Sequence, residues 1–266
     1  MLDRYNRKIN YLRISVTDRC NLRCYYCMPE KDPKLLRHED ILTFEEIQQV
    51  ATVAASLGID KIRLTGGEPL VRKDIVELVS MIAAVPGVND LSMTTNAVLL
   101  GQFAKPLAKA GLQRINVSLD TLDPEKFRRI TRGGDIQKVF SGIEAAKDAG
   151  ISPVKINCVR SGDATTNDMT DVKNYCEKHD LQVRYIQQMD LKAGEFSVVE
   201  GGTGGDCKHC NRLRLTSDGY IKPCLFSDLG YNVRTIGIQQ ALDMALSNKP
   251  EKGSVNLENC FHNIGG

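Results

Sequence analysis

Six of the nine cysteines stand in two groups. Cys20, Cys24 and Cys27 form a C-x3-C-x2-C run near the start of the chain; Cys207, Cys210 and Cys224 form a C-x2-C-x13-C run near its end. Each group offers three thiols, whereas a closed structural zinc site takes four ligands. Three thiolates can hold three irons of a [4Fe–4S] cube and leave the fourth iron open to another ligand. For the first group a zinc knuckle is the competing reading, although no fourth ligand sits within the loop. For the second, His209 or Cys260 would have to complete a zinc site, and His209 abuts Cys210 too closely to share one metal without strain. Cys158, Cys176 and Cys260 stand apart and otherwise read as structural thiols.

A second chemistry-bearing pattern lies in short β-branched runs at 11–17, 61–65, 91–94, 114–119, 154–159 and 183–187, which read as strands. Side chains alternate between faces along a strand. Arg13, Ser15 and Thr17 therefore share a face, as do Lys61, Arg63 and Thr65, then Ser92, Thr94 and Asn96, then Asn116, Ser118 and Asp120, then Lys155 and Asn157. The opposite face is aliphatic throughout. Helices cover the aliphatic face, so the polar face surrounds a polar ligand, and its cations suit one with several negative charges.

The elements between the strands are amphipathic. A capping box at Thr43-Phe-Glu-Glu46 opens a helix ending near Gly58. Further helices are expected at 74–84, 103–110, 136–149 (with Gly150 as cap), 167–179 and 235–247. Six strand–helix units predict an α/β fold, an incomplete (β/α)6 TIM-like barrel followed by a C-terminal iron–sulfur extension. Residues 1–190 would form the partial barrel, 191–206 a short linker with a flexible glycine-rich stretch, and 207–266 the second cysteine region. The chain has 266 residues, net charge +2, 42% hydrophobic and 26% charged residues, which excludes a disordered or collagen-like protein and one that binds nucleic acid by bulk charge. No apolar run reaches the roughly 20 residues needed to cross a bilayer, and residues 1–8 lack the apolar core of a secretory signal. The expectation is a cytoplasmic protein with reduced thiols and no membrane or nucleic-acid partner.

The Cys20–Cys24–Cys27 run, with Tyr26 before its last cysteine, resembles that of the radical S-adenosylmethionine (SAM) enzymes. Thr65-Gly66-Gly67-Glu68-Pro69 resembles the same family's GGEP motif, which meets the SAM amino group. The resemblance implies SAM contacts at Tyr26, Gly66, Gly67, Glu68, Ser118 and Met189. The run Cys210-Asn-Arg-Leu-Arg-Leu-Thr-Ser-Asp-Gly219, with Pro223-Cys224-Leu-Phe226 and the terminal Gly265-Gly266, resembles the GTP 3′,8-cyclase family of molybdenum cofactor biosynthesis. That resemblance implies two [4Fe–4S] clusters and SAM as cofactors, GTP as substrate and guanine on the open iron of the second cluster. It places Arg13, Arg63, Thr94, Lys155, Arg212 and Arg214 at GTP-contacting positions, with Lys61 as a further contact. Arg13 would stand near the final reduction, and Gly265 and Gly266 would reach the active site. It also implies a reductant such as flavodoxin or ferredoxin, a downstream pterin-forming enzyme and, in many members, a homodimer.

The chain departs from that family between Asp190 and Cys207, where typical members are considerably longer. The departure keeps two other readings open: a radical SAM enzyme acting on a different nucleotide or a peptide, and a two-cluster electron carrier or redox sensor. A carrier needs no ligand pocket, which leaves the inward cations and the GGEP run without a purpose.

Overall fold

The structure is a computed structural model that describes residues 1–28, 33–162, 165–258 and 261–264. Strands and helices alternate from β1 (Tyr11–Ser15) through α1 (Phe44–Ser56), β2 (Lys61–Thr65), α2 (Ile75–Ala83), β3 (Asp90–Thr95), α3 (Leu100–Lys109) and β4 (Arg114–Ser118). Two helices, α4 (Pro124–Thr131) and α5 (Ile136–Asp148), precede β5 (Val154–Arg160), α6 (Thr166–Lys178) and β6 (Gln182–Gln187). The chain then adds β7 (Arg212–Leu215), β8 (Tyr220–Lys222), β9 (Tyr231–Asn232), α7 (Val233–Ile236), α8 (Ile238–Ser247) and α9 (Phe261–Ile264).

All nine strands join one sheet in the order β6-β5-β4-β3-β2-β1-β7-β8-β9. The first seven run parallel to their neighbours, and β8 and β9 return antiparallel. The second cysteine region is thus stitched to the first strand of the sheet, because β7 pairs with β1 from Tyr11↔Arg212 to Ile14↔Leu215.

The aliphatic face behaves as its alternation requires. Leu12, Ile14, Ile62, Leu64, Leu91, Met93, Ile115 and Val117 are buried under the helices. Each such side chain contributes about 1.5–3 kcal/mol. Helix starts are set by side chains. Thr43 and Glu46 make the reciprocal capping box of α1, and a cap of this kind contributes about 1 kcal/mol. Asp123 caps α4 with Pro124 in its first turn. Gly142 lets α5 approach the start of α3, since a Cβ there would stand 2.5 Å from the Ala97 carbonyl oxygen.

Three features differ from the sequence expectation. The last helix is broken at Gly237, whose φ of +85° no helix continues through, giving α7 and α8. The short strands β7–β9 and the short helix α4 carry too few apolar positions to announce themselves. The glycine-rich stretch expected to be a flexible linker is tied down: Tyr185 and Glu200 exchange two backbone hydrogen bonds, and Asp190 and Glu195 exchange two more. A Cβ on Gly205 would stand 1.8 Å from the Ser197 carbonyl oxygen, so this glycine serves close packing.

Candidate active site

The polar face of the sheet gathers cations from both ends of the chain. In register, Arg13 lies between Arg63 and Arg214, and Tyr11 lies between Lys61 and Arg212. Further along, Asn116 pairs with Lys155 and Asn157 with Arg184. The guanidinium groups of Arg63 and Arg212 lie 5.5 and 5.8 Å from the Tyr11 ring centroid, within reach of its π face. Burial depresses the pKa of Arg13 well below the ordinary value, and Arg214, Arg63 and Arg212 depress it further. Burial, then Arg212, brings Arg214 down to about 10. Arg63, Lys155 and Arg184 are lowered in the same way, by burial and then by neighbouring arginines, although Tyr11 partly opposes this at Arg63 and Arg184. Asp90, the acid on this face, is engaged by Arg114. The Tyr11 hydroxyl, Thr94 Oγ1 and Arg212 Nε are buried without a hydrogen-bond partner among the described residues. Crowded like charges and orphaned donors of this kind fit a bound polyanion.

The first cysteine group follows β1 and is bolted to the loop after β2. The Gly67 N–H donates to the Thr17 carbonyl at 2.7 Å and the Glu68 N–H to that of Arg19 at 2.8 Å. A Cβ on Gly66 would stand 2.6 Å from the Thr17 oxygen, and one on Gly67 2.3 Å from the Arg19 oxygen. The two glycines therefore let the loops touch, in addition to any ligand they admit. Glu68 is buried, and its carboxylate accepts from the Thr95 hydroxyl at 2.6 Å, the Asn96 N–H at 2.7 Å and the Leu70 N–H at 3.1 Å. Burial outweighs these bonds and raises its pKa to about 7. The Tyr26 hydroxyl donates to Asp120 at 2.7 Å, and burial raises Asp120 to about 6. Burial pushes Cys20 up to about 11; it pushes Cys24 higher still, with further push from Cys27, Asp120 and Cys20.

One solvent-open cavity is lined by Cys20, Cys24, Cys27, Tyr26, Gly66, Gly67, Glu68, Thr94, Ser118 and Met189. Phe261 of α9 lines it too. Gly265, Gly266 and Cys260 lie outside the described residues. An adjoining cavity shares Asn157, Ile186 and Met189 with the first and is lined by Cys207, Cys210, Cys224, Arg13, Arg212, Arg214 and Lys249. Here burial alone would raise Cys210, but Lys249 and Arg212 hold it below its ordinary value. Cys224 stays raised by burial in spite of Lys249.

Among the described residues, no group of three or more His, Cys, Asp or Glu side chains is arranged to hold a single metal ion. The three thiols of each group could instead serve three irons of a cube, one each, at wider sulfur spacing than a single ion takes. The Leu22 N–H donates to Cys20 Sγ at 3.3 Å, the kind of N–H···S bond that accompanies cluster ligands. His209 turns away from the second triad, exposed, with Nδ1 2.7 Å from Asp206.

The structure thus brings the first triad, Tyr26, the glycines, Glu68, Ser118 and Met189 into one cavity, and the second triad, Arg13, Arg212 and Arg214 into its neighbour. Lys61, Arg63 and Lys155 line neither cavity, but lie on the same face in register with Tyr11, Arg13 and Asn116. Cys158 and Cys176 are buried, as structural thiols should be. Sequence reasoning missed Tyr11, Arg114 and Arg184, which strand parity would have found had it been carried to the first residue of β1 and β4 and on to β6. It also missed Lys249, for which no sequence signal exists.

Comparison with known proteins agrees. Residues 14–173 match the radical SAM superfamily, and residues 163–254 match the Molybdenum Cofactor Synthesis C family. The GTP 3′,8-cyclase of Peptoclostridium acidaminophilum is 43% identical, over 86% of this chain and 84% of its own. That of Thermodesulfovibrio yellowstonii is 42% identical, over 89% and 88%. That of Clostridium botulinum is 37% identical across the whole of both chains, in an alignment of 319 positions against the 266 residues here, so the relative is the longer protein. Streptococcus suis SuiB bound to S-adenosylmethionine shares the fold with a TM-score of 0.68 at 15% identity, covering 91% of this chain and 66% of that one. The AdoMet-bound anSMEcpe structure shares it with a TM-score of 0.63 at 18% identity, covering 91% and 81%. Its matched motifs, its strand–helix sheet and these relatives place the chain in the radical SAM superfamily and, within it, in the GTP 3′,8-cyclase family.

Proposed function

We propose that this radical SAM enzyme converts GTP to 3′,8-cyclo-7,8-dihydro-GTP, the first step of molybdenum cofactor biosynthesis, in the space shared by its two cysteine-lined cavities. The observation that carries this reading is the pairing of those cavities across Asn157, Ile186 and Met189, one lined by the buried Glu68 carboxyl and the other by arginines. Residues 1–190 are read as an incomplete (β/α)6 barrel and 207–266 as the iron–sulfur extension, which β7 joins to β1.

Cys20, Cys24 and Cys27 would hold one [4Fe–4S] cluster, with SAM between Tyr26, Gly66, Gly67, Glu68, Ser118 and Met189. Bound together, cluster and SAM supply reductive cleavage of a sulfonium bond and hence radical chemistry at that end. Cys207, Cys210 and Cys224 would hold the second cluster, whose open iron would take the guanine. Arg63, Lys61, Lys155, Arg212 and Arg214 bind the triphosphate through charge-assisted hydrogen bonds, with Arg184 beside them on the same face. Thr94 offers its orphaned hydroxyl to the nucleotide. Arg13, in the second cavity beside Arg214, is assigned to the final reduction. Gly265 and Gly266, which lie outside the described residues, are assigned to the active site by the family resemblance alone. The protein's own contribution is to hold the ribose against the SAM cavity and to exclude water. A flavodoxin- or ferredoxin-like reductant, a pterin-forming enzyme downstream and a homodimer complete the proposal.

Anaerobic reconstitution tests it, with about eight irons per chain expected for two cubes. With GTP deuterated at C3′, deuterium appears in the released 5′-deoxyadenosine. Four irons overturn the second cluster. Protium alone in the deoxyadenosine leaves a radical SAM enzyme acting on another nucleotide or a peptide.

A further inference from the structure

Lys249 is 2% exposed and ranks among the largest fully buried side chains of the protein. Lysine is almost never buried this fully unless an anion accompanies it. No carboxylate forms a salt bridge with Lys249 among the described residues. Its ammonium donates instead to two neutral carbonyls, that of Arg212 at 2.7 Å and that of Pro223 at 2.5 Å. Arg212 follows Cys210 by two residues, and Pro223 directly precedes Cys224. Lys249 also lines the cavity that holds Cys207, Cys210 and Cys224.

The third cysteine is tied to the same point. Arg7, buried and paired with Asp3, donates to the Cys207 carbonyl at 2.7 Å and to the carbonyls of Pro250 and Glu251 at 2.7 and 2.9 Å. The segment carrying Lys249 is therefore pinned to the arm of Cys207, while Lys249 pins the arms of Cys210 and Cys224. Neutral donors would suffice to bind carbonyls. A full charge buried at this cost must offset a negative charge, and the three thiols lining the same cavity are the group that supplies it.

We propose that Lys249 is a positioning residue of the second cysteine triad, clamping the arms of Cys210 and Cys224 and fixing a positive charge that raises the reduction potential of the cluster they hold. This rests on the two-cluster reading above. A cluster gains one negative charge on reduction, so a fixed cation a few ångströms away favours the reduced form. Arg212 and Arg214 line the cavity as well, but the donors of Lys249 are committed to the protein, so its effect persists whether or not a nucleotide is bound.

The test uses the full chain with Cys20, Cys24 and Cys27 replaced by serine, so that any cluster is the second one. Iron is counted, and the cluster is titrated by EPR-monitored potentiometry. Lys249→Gln keeps a hydrogen-bond donor without the charge, Lys249→Met removes both, and Lys249→Arg keeps the charge. Gln and Met are expected to make the one-electron reduction at least tenfold less favourable, a midpoint lower by 59 mV or more, with Arg close to the parent. A Gln variant with full iron and an unmoved midpoint overturns the role of Lys249. If both neutral variants take up no iron, uptake restored by Lys249→Arg supports the proposal, and no restoration overturns it. A parent without about four irons overturns the two-cluster reading and this proposal with it, whereas failure in the variants alone leaves that reading standing.

Discussion

The two cysteine triads use the same ligands in opposite electrostatic settings. Around the first stand buried carboxyls, Glu68 and Asp120, and burial, with Glu68 beside Cys20 and with Cys27 and Asp120 beside Cys24, pushes the Cys20 and Cys24 thiols up. Around the second stand Lys249, Arg212 and Arg214, and Cys210 is drawn down despite burial. Ligand type therefore does not distinguish the sites; the neighbours do. Carboxyls beside the first triad favour a cationic partner such as a sulfonium bearing an ammonium. Cations beside the second favour a nucleotide polyanion and a cluster that is easier to reduce.

The largest effects come from deleting each triad in turn. Cys24→Ser is expected to abolish release of 5′-deoxyadenosine and to remove about four irons per chain, as loss of one cube requires. Cys210→Ser is expected to remove a similar number and to abolish cyclised product, while SAM cleavage with a strong chemical reductant survives. If Cys210→Ser also abolishes cleavage, the sites are not separable and the comparison fails. Next in size is Arg212→Ala. Its guanidinium also holds the Thr203 carbonyl at 2.8 Å, and a charge-assisted bond contributes about 1.5–3 kcal/mol. GTP affinity measured by calorimetry should fall roughly 10–100-fold, with SAM affinity unchanged within twofold.

Six of the nine described strands were legible from their β-branched runs, and on the first five the alternation of aliphatic and polar residues by itself gave the inward cations of β1, β2 and β5. The place of Arg212 and Arg214 did not. Arg212-Leu-Arg-Leu alternates too, but its pairing with β1 joins residues about two hundred positions apart, and no local pattern encodes a partner at that distance. Glycine was misleading in both directions. Gly66 and Gly67 were understood through a ligand, yet the nearest atoms are the backbone of residues 17–19. Gly205 looked like flexibility, yet Ser197 presses against it. Composition cannot separate a glycine that moves from one that is merely the only residue that fits. Lys249, sitting before Pro250 just past a helix end, has every local mark of an exposed residue. Its burial is decided by carbonyls from two other segments.

A pH dependence confined to the first site would sharpen the comparison further. Burial raises Glu68 to about 7. Its carboxylate form suits a cationic ligand, so SAM affinity should climb several-fold from pH 6 to pH 8 and then level, since one proton can change affinity at most tenfold per pH unit. The effect on stability has the opposite sign. A carboxyl raised in the folded state gives its full contribution below its unfolded pKa of about 4.3 and loses it as pH rises through about 7. Glu68→Gln should flatten both profiles. GTP binding has its own pH profile from its terminal phosphate, and Glu68→Gln is expected to leave that profile unchanged, because Glu68 does not line the second cavity. A change in the GTP profile on Glu68→Gln would mean that the carboxyls act on both sites.

Tyr26→Phe makes the smallest and most local change. The phenol gives Asp120 one of its two described hydrogen bonds, the other coming from the Val159 N–H at 2.8 Å. Without the phenol, Asp120 rises further above about 6, because a bond that favoured its charged form is lost. A buried acceptor left short of a partner costs about 1–3 kcal/mol, which thermal unfolding of the metal-free protein would register as roughly 2–4 °C per kcal/mol. SAM affinity should fall only a few-fold, because the ring still lines the cavity with Cys24 and Cys27 and loses only its hydroxyl. GTP affinity should not move, since neither Tyr26 nor Asp120 reaches the cation-lined cavity. Equal losses for both ligands would show that the carboxyl side and the cation side share one field, and the separation of the two triads by their neighbours would then have to be abandoned.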